Sequence, residues 1–176
     1  MTTDTPSVSP PAAAAAGKAG KYLTFALGRE EYGLRILTVR EIIGYMEITA
    51  VPRVPRYVKG VINLRGQVIS VVDLRAKFGM DPAERTDQTC IIVVETAAPG
   101  AGGGAGGRTL STGVIVDRVS EVLSIAADAI EDPPAFGTSV RTDFILGLGK
   151  IGQGVKILLD IDRVLAADEA AARHAA

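Results

Sequence analysis

From Lys21 onward the chain is a series of short apolar runs, alternating with or bounded by polar residues and broken by Gly, Pro and Asp. That rhythm predicts strands joined by tight turns rather than long helices. YLTFAL and EYGLRI flank Gly28-Arg29-Glu30 and predict a first hairpin. Residues 59–75, KGVINLRGQVISVVDLR, read as strand, tight turn, strand, with Gly66 supplying a positive φ at the turn. Asp73 stands where it would cap a short helix, LRAKF, and Gly79 stops that helix. Between the hairpins, Thr38-Val39-Arg40-Glu41 matches the S/T-x-x-E capping pattern. It predicts a short helix over about 39–44, ended by Gly44. Pro52 and Pro55 enforce an extended loop after it.

The second half repeats the first. YGLRILTVREII lies over TGVIVDRVSEVL without a gap, at the spacing of 80 that separates Gly33 from Gly113. YVKGVINLRGQVISVVDLRAKF lies over FILGLGKIGQGVKILLDIDRVL, at the spacing of 87 that separates Asp73 from Asp160. The extra residues fall near EDPPAFGTSVRT, in a loop, where added length costs little. TCIIVVE echoes KYLTFAL. Two ungapped blocks in the same order indicate a tandem duplication. Each copy holds about five short strands, which predicts a small barrel. The first would cover roughly 21–85 and the second 86–167. Strands this apolar need both faces covered, so the barrels should pack on a shared core with a groove where they meet.

Residues 1–20, rich in Ala and Pro, bury too little to order and predict a disordered tail; 168–176 form a second tail. AAPGAGGGAGGR, residues 97–108, lacks the Lys-Ser/Thr and following helix of a phosphate cradle, and predicts a flexible hairpin loop. The apolar runs are far shorter than the ~18 residues a membrane helix needs. The N-terminus lacks the basic start of a signal peptide, so the expected setting is the cytoplasm.

Candidate chemistry is sparse. The chain has one cysteine, Cys90, inside an apolar run, and one histidine, His174, in the C-terminal tail. Neither offers a metal site or a general base. Glu30-Glu31 and Glu131-Asp132 read as solvated loop charges, and Asp73 and Asp160 as helix caps. The net charge of −1 and 5% aromatic content argue against a nucleic-acid groove, which needs a basic stripe and stacking rings. No catalytic residue, metal or cofactor is expected, and the composition favours a binding or scaffolding protein.

One difference between the copies stands out: Asn63-Leu64-Arg65-Gly66 lies over Lys150-Ile151-Gly152-Gln153, so Arg65 maps onto Gly152. Arg65 reads as a solvated turn residue, as a partner of Glu41, or as a guanidinium presented to a partner's carboxylate.

EEYGLRILTVREI, the Pro-containing loop, KGVINLRGQVISVVDLRAKFG, VDRVSEVLSI and ILGLGKIGQGVKILLDIDRVL together resemble the CheW family of bacterial chemotaxis coupling proteins. The resemblance runs from about Lys21 to Ala167, and G-V-x-N-L-R-G followed by V-D-L-R is its most specific part. It implies a mainly β fold of two five-stranded SH3-like barrels with short helices and a strand exchanged between the repeats. It also implies a non-enzymatic adaptor, recruited to membrane-associated arrays, that ties the cytoplasmic tips of methyl-accepting chemoreceptors to the histidine kinase CheA. By matching positions, the resemblance implies a receptor groove of Val39, Glu41, Arg65, Cys90, Gly113, Val119 and Val122. For the kinase's regulatory domain it implies Ile42 and Val68, with Phe136 in a second, ring-closing contact. The chain departs from the family pattern in the length of its Gly-rich loop and in Glu131, where some relatives carry a basic residue. The reading of a different class is a double barrel that binds a small ligand or nucleic acid.

Overall fold

The computed structural model describes residues 18–97, 109–133 and 144–165. The first half supplies β1 (Gly20–Leu27), β2 (Glu30–Arg35), a 3-10 turn (Ile36–Thr38), β3 (Val39–Gly44), β4 (Val58–Leu64), β5 (Gln67–Asp73) and helix α1 (Leu74–Lys77). The second half supplies β6 (Cys90–Ala97), β7 (Thr109–Val116), β8 (Arg118–Ile125), a 3-10 turn (Ala127–Ala129), β9 (Ile130–Glu131), β10 (Ile145–Ile151) and β11 (Gly154–Leu159). A last helical turn covers 161–165.

The strands form two sheets, ordered β8-β1-β2-β11-β10-β9 and β3-β6-β7-β5-β4. Apart from β9, which adds a sixth strand to the first sheet, the orders become the same when each strand is replaced by its repeat mate. The exchange is a whole hairpin in each direction: β1–β2 lies between β8 and β11, and β6–β7 lies between β3 and β5. Each sheet therefore draws on both halves of the sequence.

The pairing register carries the duplication down to single residues. The parallel joint between β5 and β7 opens on Ser70 opposite Thr112, and that between β11 and β2 on Ile157 opposite Tyr32. Those pairs are separated by the same spacings, 87 and 80, that align the sequence. In β3 the ladder skips Arg40, and in β8 it skips the mate, Ser120. The Asp73 amide donates to Tyr57 O at 2.7 Å and the Asp160 amide to Phe144 O at 2.9 Å, again as mates. A bulge bends its strand and increases the twist, so matched bulges give both sheets the same curl.

One expected element is wrong. Residues 39–44 are strand β3, not a helix, and Thr38 does not cap a helix. Its hydroxyl donates to Arg35 O at 2.7 Å and closes the 3-10 turn that precedes the strand. Val39, Ile42 and Ile43 are β-branched, and β6 offers a full antiparallel ladder from Val94 to Cys90. Six residues cannot offset the cost of helix nucleation against that ladder. Asp73 does cap α1, its Oδ1 accepting from the Arg75 amide at 3.0 Å.

Three apolar clusters follow from this topology. Ile43 of β3, Ile62 and Leu64 of β4, Ile69 and Val71 of β5, and Ile91 and Val93 of β6 pack together inside one sheet. Tyr22, Ile125, Ile130 and Leu158 do the same inside the other. The third cluster lies between the sheets and joins Leu23, Phe25, Leu27 and Leu34 to Ile92, Val94, Val114 and Val116. Tyr32, Phe78 and Phe144 extend it as a run of stacked rings from Phe25, at centroid spacings of 5.8, 5.7 and 5.5 Å. The expected shared core is present.

An ion pair pins this arrangement at one end. Arg75 of α1 donates from Nε to Asp117 Oδ1 at 2.8 Å and from Nη2 to Oδ2 at 2.6 Å. Asp117, in the β7–β8 turn, also accepts from the Gly28 amide in the β1–β2 turn at 2.8 Å. The Arg75 hydrogen bonds, helped by the Gly28 amide, hold the Asp117 carboxyl below the usual carboxylate range against the opposing effect of partial burial. A folded pKa below the unfolded one gives stability that is complete above the unfolded value, about 4, and is lost as pH falls through the folded value. Urea midpoints for the native chain and Asp117→Asn should therefore differ most near neutral pH and converge below about pH 4. A gap that does not change with pH would refute this linkage.

Candidate functional site

Glu41 and Arg65 sit at opposite margins of one sheet. Glu41 lies on edge strand β3, and Arg65 in the turn between β4, the other edge strand, and β5. They nevertheless form a bidentate pair: Arg65 Nη1 donates to Glu41 Oε1 at 3.0 Å and Nη2 to Oε2 at 2.8 Å. The sheet curls far enough for the Arg65 side chain to reach Glu41, and side chains of β3 and β4 share one apolar cluster inside that curl. The pair is uneven, with the Arg65 side chain 76% exposed and Glu41 only 20%. The carboxylate is the seat and the guanidinium is the displayed group.

The backbone at Arg65 is equally specific. Its φ is +53° and that of Gly66 is +86°, the left-handed pair of a type I′ hairpin turn. Gly66 does this without strain, whereas a left-handed non-glycine residue is disfavoured by roughly 1–2 kcal/mol. The mate of Arg65, Gly152, also has a positive φ, +58°. The fold asks for glycine at this position, and the first copy carries arginine there.

A second group lies where the two sheets meet. Val39 of β3, Cys90 of β6 and Val119 of β8 are half-buried against the shared core. Burial pushes the Cys90 thiol up, more than a hydrogen bond with the Val119 backbone brings it down. A thiol held protonated is a poor nucleophile, so Cys90 serves here by packing. Val122 of β8 is exposed beside this margin, and its repeat mate Ile42 is exposed on β3. Val68 is 66% exposed on β5.

Gly113 does not belong to this surface. It is buried in β7, between Val71 of β5 and Val93 of β6. A Cβ there would come within 2.8 Å of Ile91 Cγ2, so glycine is needed for packing inside the sheet. Phe136 lies outside the described residues, as do residues 1–17, 98–108 and 168–176, whereas Gly20, expected in the disordered N-terminal tail, opens β1. Val155 was not singled out from sequence, although it is the mate of Val68 and is exposed in the same way. The repeat alignment contained that signal.

Of the acidic residues expected in solvent, Glu31, Glu131 and Asp132 are partnered, while Glu30 is exposed. Glu31 takes Lys156, Arg118 and the Ser120 hydroxyl, while Lys150 Nζ donates to Glu131 at 2.8 Å and Lys18 to Asp132 at 2.9 Å. Neighbouring strands bring cations that sequence spacing does not show. Asp73 and Asp160 cap separate helical turns, at the Arg75 and Arg163 amides. Among the described residues no group of three or more His, Cys, Asp or Glu could hold a metal ion. Among them, too, no helix is long and apolar enough to cross a membrane.

The model of the CheW-like domain matches residues 21–169. This chain belongs to the CheW-like family. It is 38% identical over 151 residues to a chemotaxis protein CheW of Klebsiella aerogenes, covering 86% of this chain and 84% of the relative. It is 32% identical over 150 residues to a probable chemotaxis protein CheW of Rhizobium etli, covering 85% and 90%. The fold matches the crystal structure of the scaffolding protein TtCheW from Thermoanaerobacter tengcongensis with a TM-score of 0.70. That match has 34% identity and covers 83% of this chain and 92% of that one. The family is one of chemotaxis scaffolds, and the expected family and fold class are both met.

Proposed function

We propose that this chain is a non-enzymatic adaptor that couples the cytoplasmic tips of methyl-accepting chemoreceptors to the histidine kinase CheA. The single observation that carries the reading is the Glu41–Arg65 pair, in which a strained turn displays a guanidinium that the second copy lacks. Val39, Cys90, Val119 and Val122 offer an apolar margin beside it, suited to one face of an amphipathic helix. Glu41 and Arg65 set the register of that helix, because charged groups at an interface rim fix orientation more than affinity. Ile42 and Val68, exposed on the sheet that carries the pair, serve the regulatory domain of CheA, and Phe136 belongs to the second kinase contact. Each contact is modest, and recruitment to membrane-associated arrays supplies avidity.

Titration of the purified chain into a receptor-tip fragment and into CheA tests the reading. Binding to each, and co-sedimentation of all three with receptor assemblies, is the expected result. A chain that associates with neither partner would overturn it.

A further inference from the structure

We propose that Asn63 is a positioning residue for Arg65: its carboxamide sets the turn that holds the guanidinium on Glu41 with its remaining donors in solvent. This rests on the reading of Arg65 as a contact residue. In this two-residue turn the ladder closes on Leu64 opposite Gln67. The Gly66 amide lies outside that ladder, and Asn63 Oδ1 accepts from it at 2.8 Å. An Asn side chain bonded to the backbone ahead of it stabilises a turn that the backbone alone would leave loose. Here that turn places an L-residue, Arg65, at φ +53°.

The second copy serves as an internal control. Lys150 stands where Asn63 does, and it has no acceptor to offer. Its ammonium goes instead to Glu131. Gly152 takes the left-handed place without strain, and Gln153 is not left-handed. Where no side chain is displayed, the carboxamide is absent as well. The hairpin fold therefore does not require Asn63, whereas the display of Arg65 does.

The test compares Asn63→Ala, Asn63→Asp and Lys150→Ala by hydrogen exchange of the Gly66 amide, by the Arg65 Nε–H NMR signal and by binding to a receptor-tip fragment. Asn63→Ala should speed Gly66 exchange about 10-fold, the loss expected of one hydrogen bond. It should also shift the Arg65 Nε–H signal and weaken tip binding by roughly 3- to 10-fold. Asn63→Asp keeps an acceptor and should restore slow exchange, and Lys150→Ala should leave the Arg65 signal in place. On an Arg65→Ala background, Asn63→Ala should weaken binding by less than about 2-fold more, because the two residues act as one unit. Equal losses in both backgrounds, or unchanged Gly66 exchange, would overturn the proposal. If the native chain bound neither the tip nor CheA, the adaptor reading would fall. The exchange and Nε–H measurements would still decide the role of Asn63.

Discussion

Arg65→Ala is expected to weaken binding to the receptor tip or to CheA by about 10- to 100-fold, the usual loss when a charge-assisted contact is truncated. Lys150→Ala should change it by less than about 2-fold, as expected of a solvent-exposed ion pair. Both residues are cations on a hairpin, and both pair with a glutamate at 2.8 Å. What separates them is their place. Lys150 bonds Glu131 on the neighbouring strand, whereas Arg65 crosses from one margin of its sheet to the other. Stability should barely register the loss of Arg65. Its side chain is mostly in solvent, so the pair contributes about 0–1 kcal/mol to folding. Replacement by alanine keeps the left-handed strain, and Arg65→Gly removes it, so the glycine variant should be the more stable of the two and bind no better. Isothermal titration with matched thermal melts reads both effects. Equal binding losses for Arg65→Ala and Lys150→Ala would refute the asymmetry between the copies.

Phe25→Ala should cost about 3–5 kcal/mol of stability, read as a shift in the urea midpoint. Phe25 is fully buried in the cluster between the sheets and stacks on Tyr32 at 5.8 Å. It belongs to the β1–β2 hairpin, which comes from the first copy but lies in the sheet of the second. Truncation opens a cavity where both sheets and the exchanged hairpin meet. Few neighbours can move to fill it, because both sheets are fixed by their ladders. Total stability of a domain is only about 5–15 kcal/mol, so the variant could lose its cooperative fold. Val68→Ala removes an apolar group of a similar kind from an exposed site and should stay within about 0.5 kcal/mol. A Phe25→Ala cost below about 1 kcal/mol would mean that the shared core contributes little.

Much of the architecture was legible because period-two patterning and turn chemistry act locally. The hairpin at 59–75, the Asp73 cap and the two repeat spacings all reappear in the ladders and hydrogen bonds. The misread segment, 39–44, shows the limit. A local capping pattern and a strand ladder competed there, and the strand that decides the outcome, β6, begins 46 residues beyond Gly44 at Cys90. Gly113 shows another limit. A glycine matched to a functional motif and a glycine packed inside a sheet look alike until Ile91 is placed against it.

The sequence by itself determined the hairpins, the duplication and the arginine that breaks its symmetry, because each is a property of neighbouring residues or of comparison along the chain. Only the tertiary structure decided that whole hairpins are exchanged, that Glu31 and Glu131 are paired, and that Glu41 seats Arg65. Those facts depend on which edges meet when the sheets curl. That curl is set by bulges at Arg40 and Ser120 and by the clusters inside each sheet, whose members are brought together by folding and not by spacing.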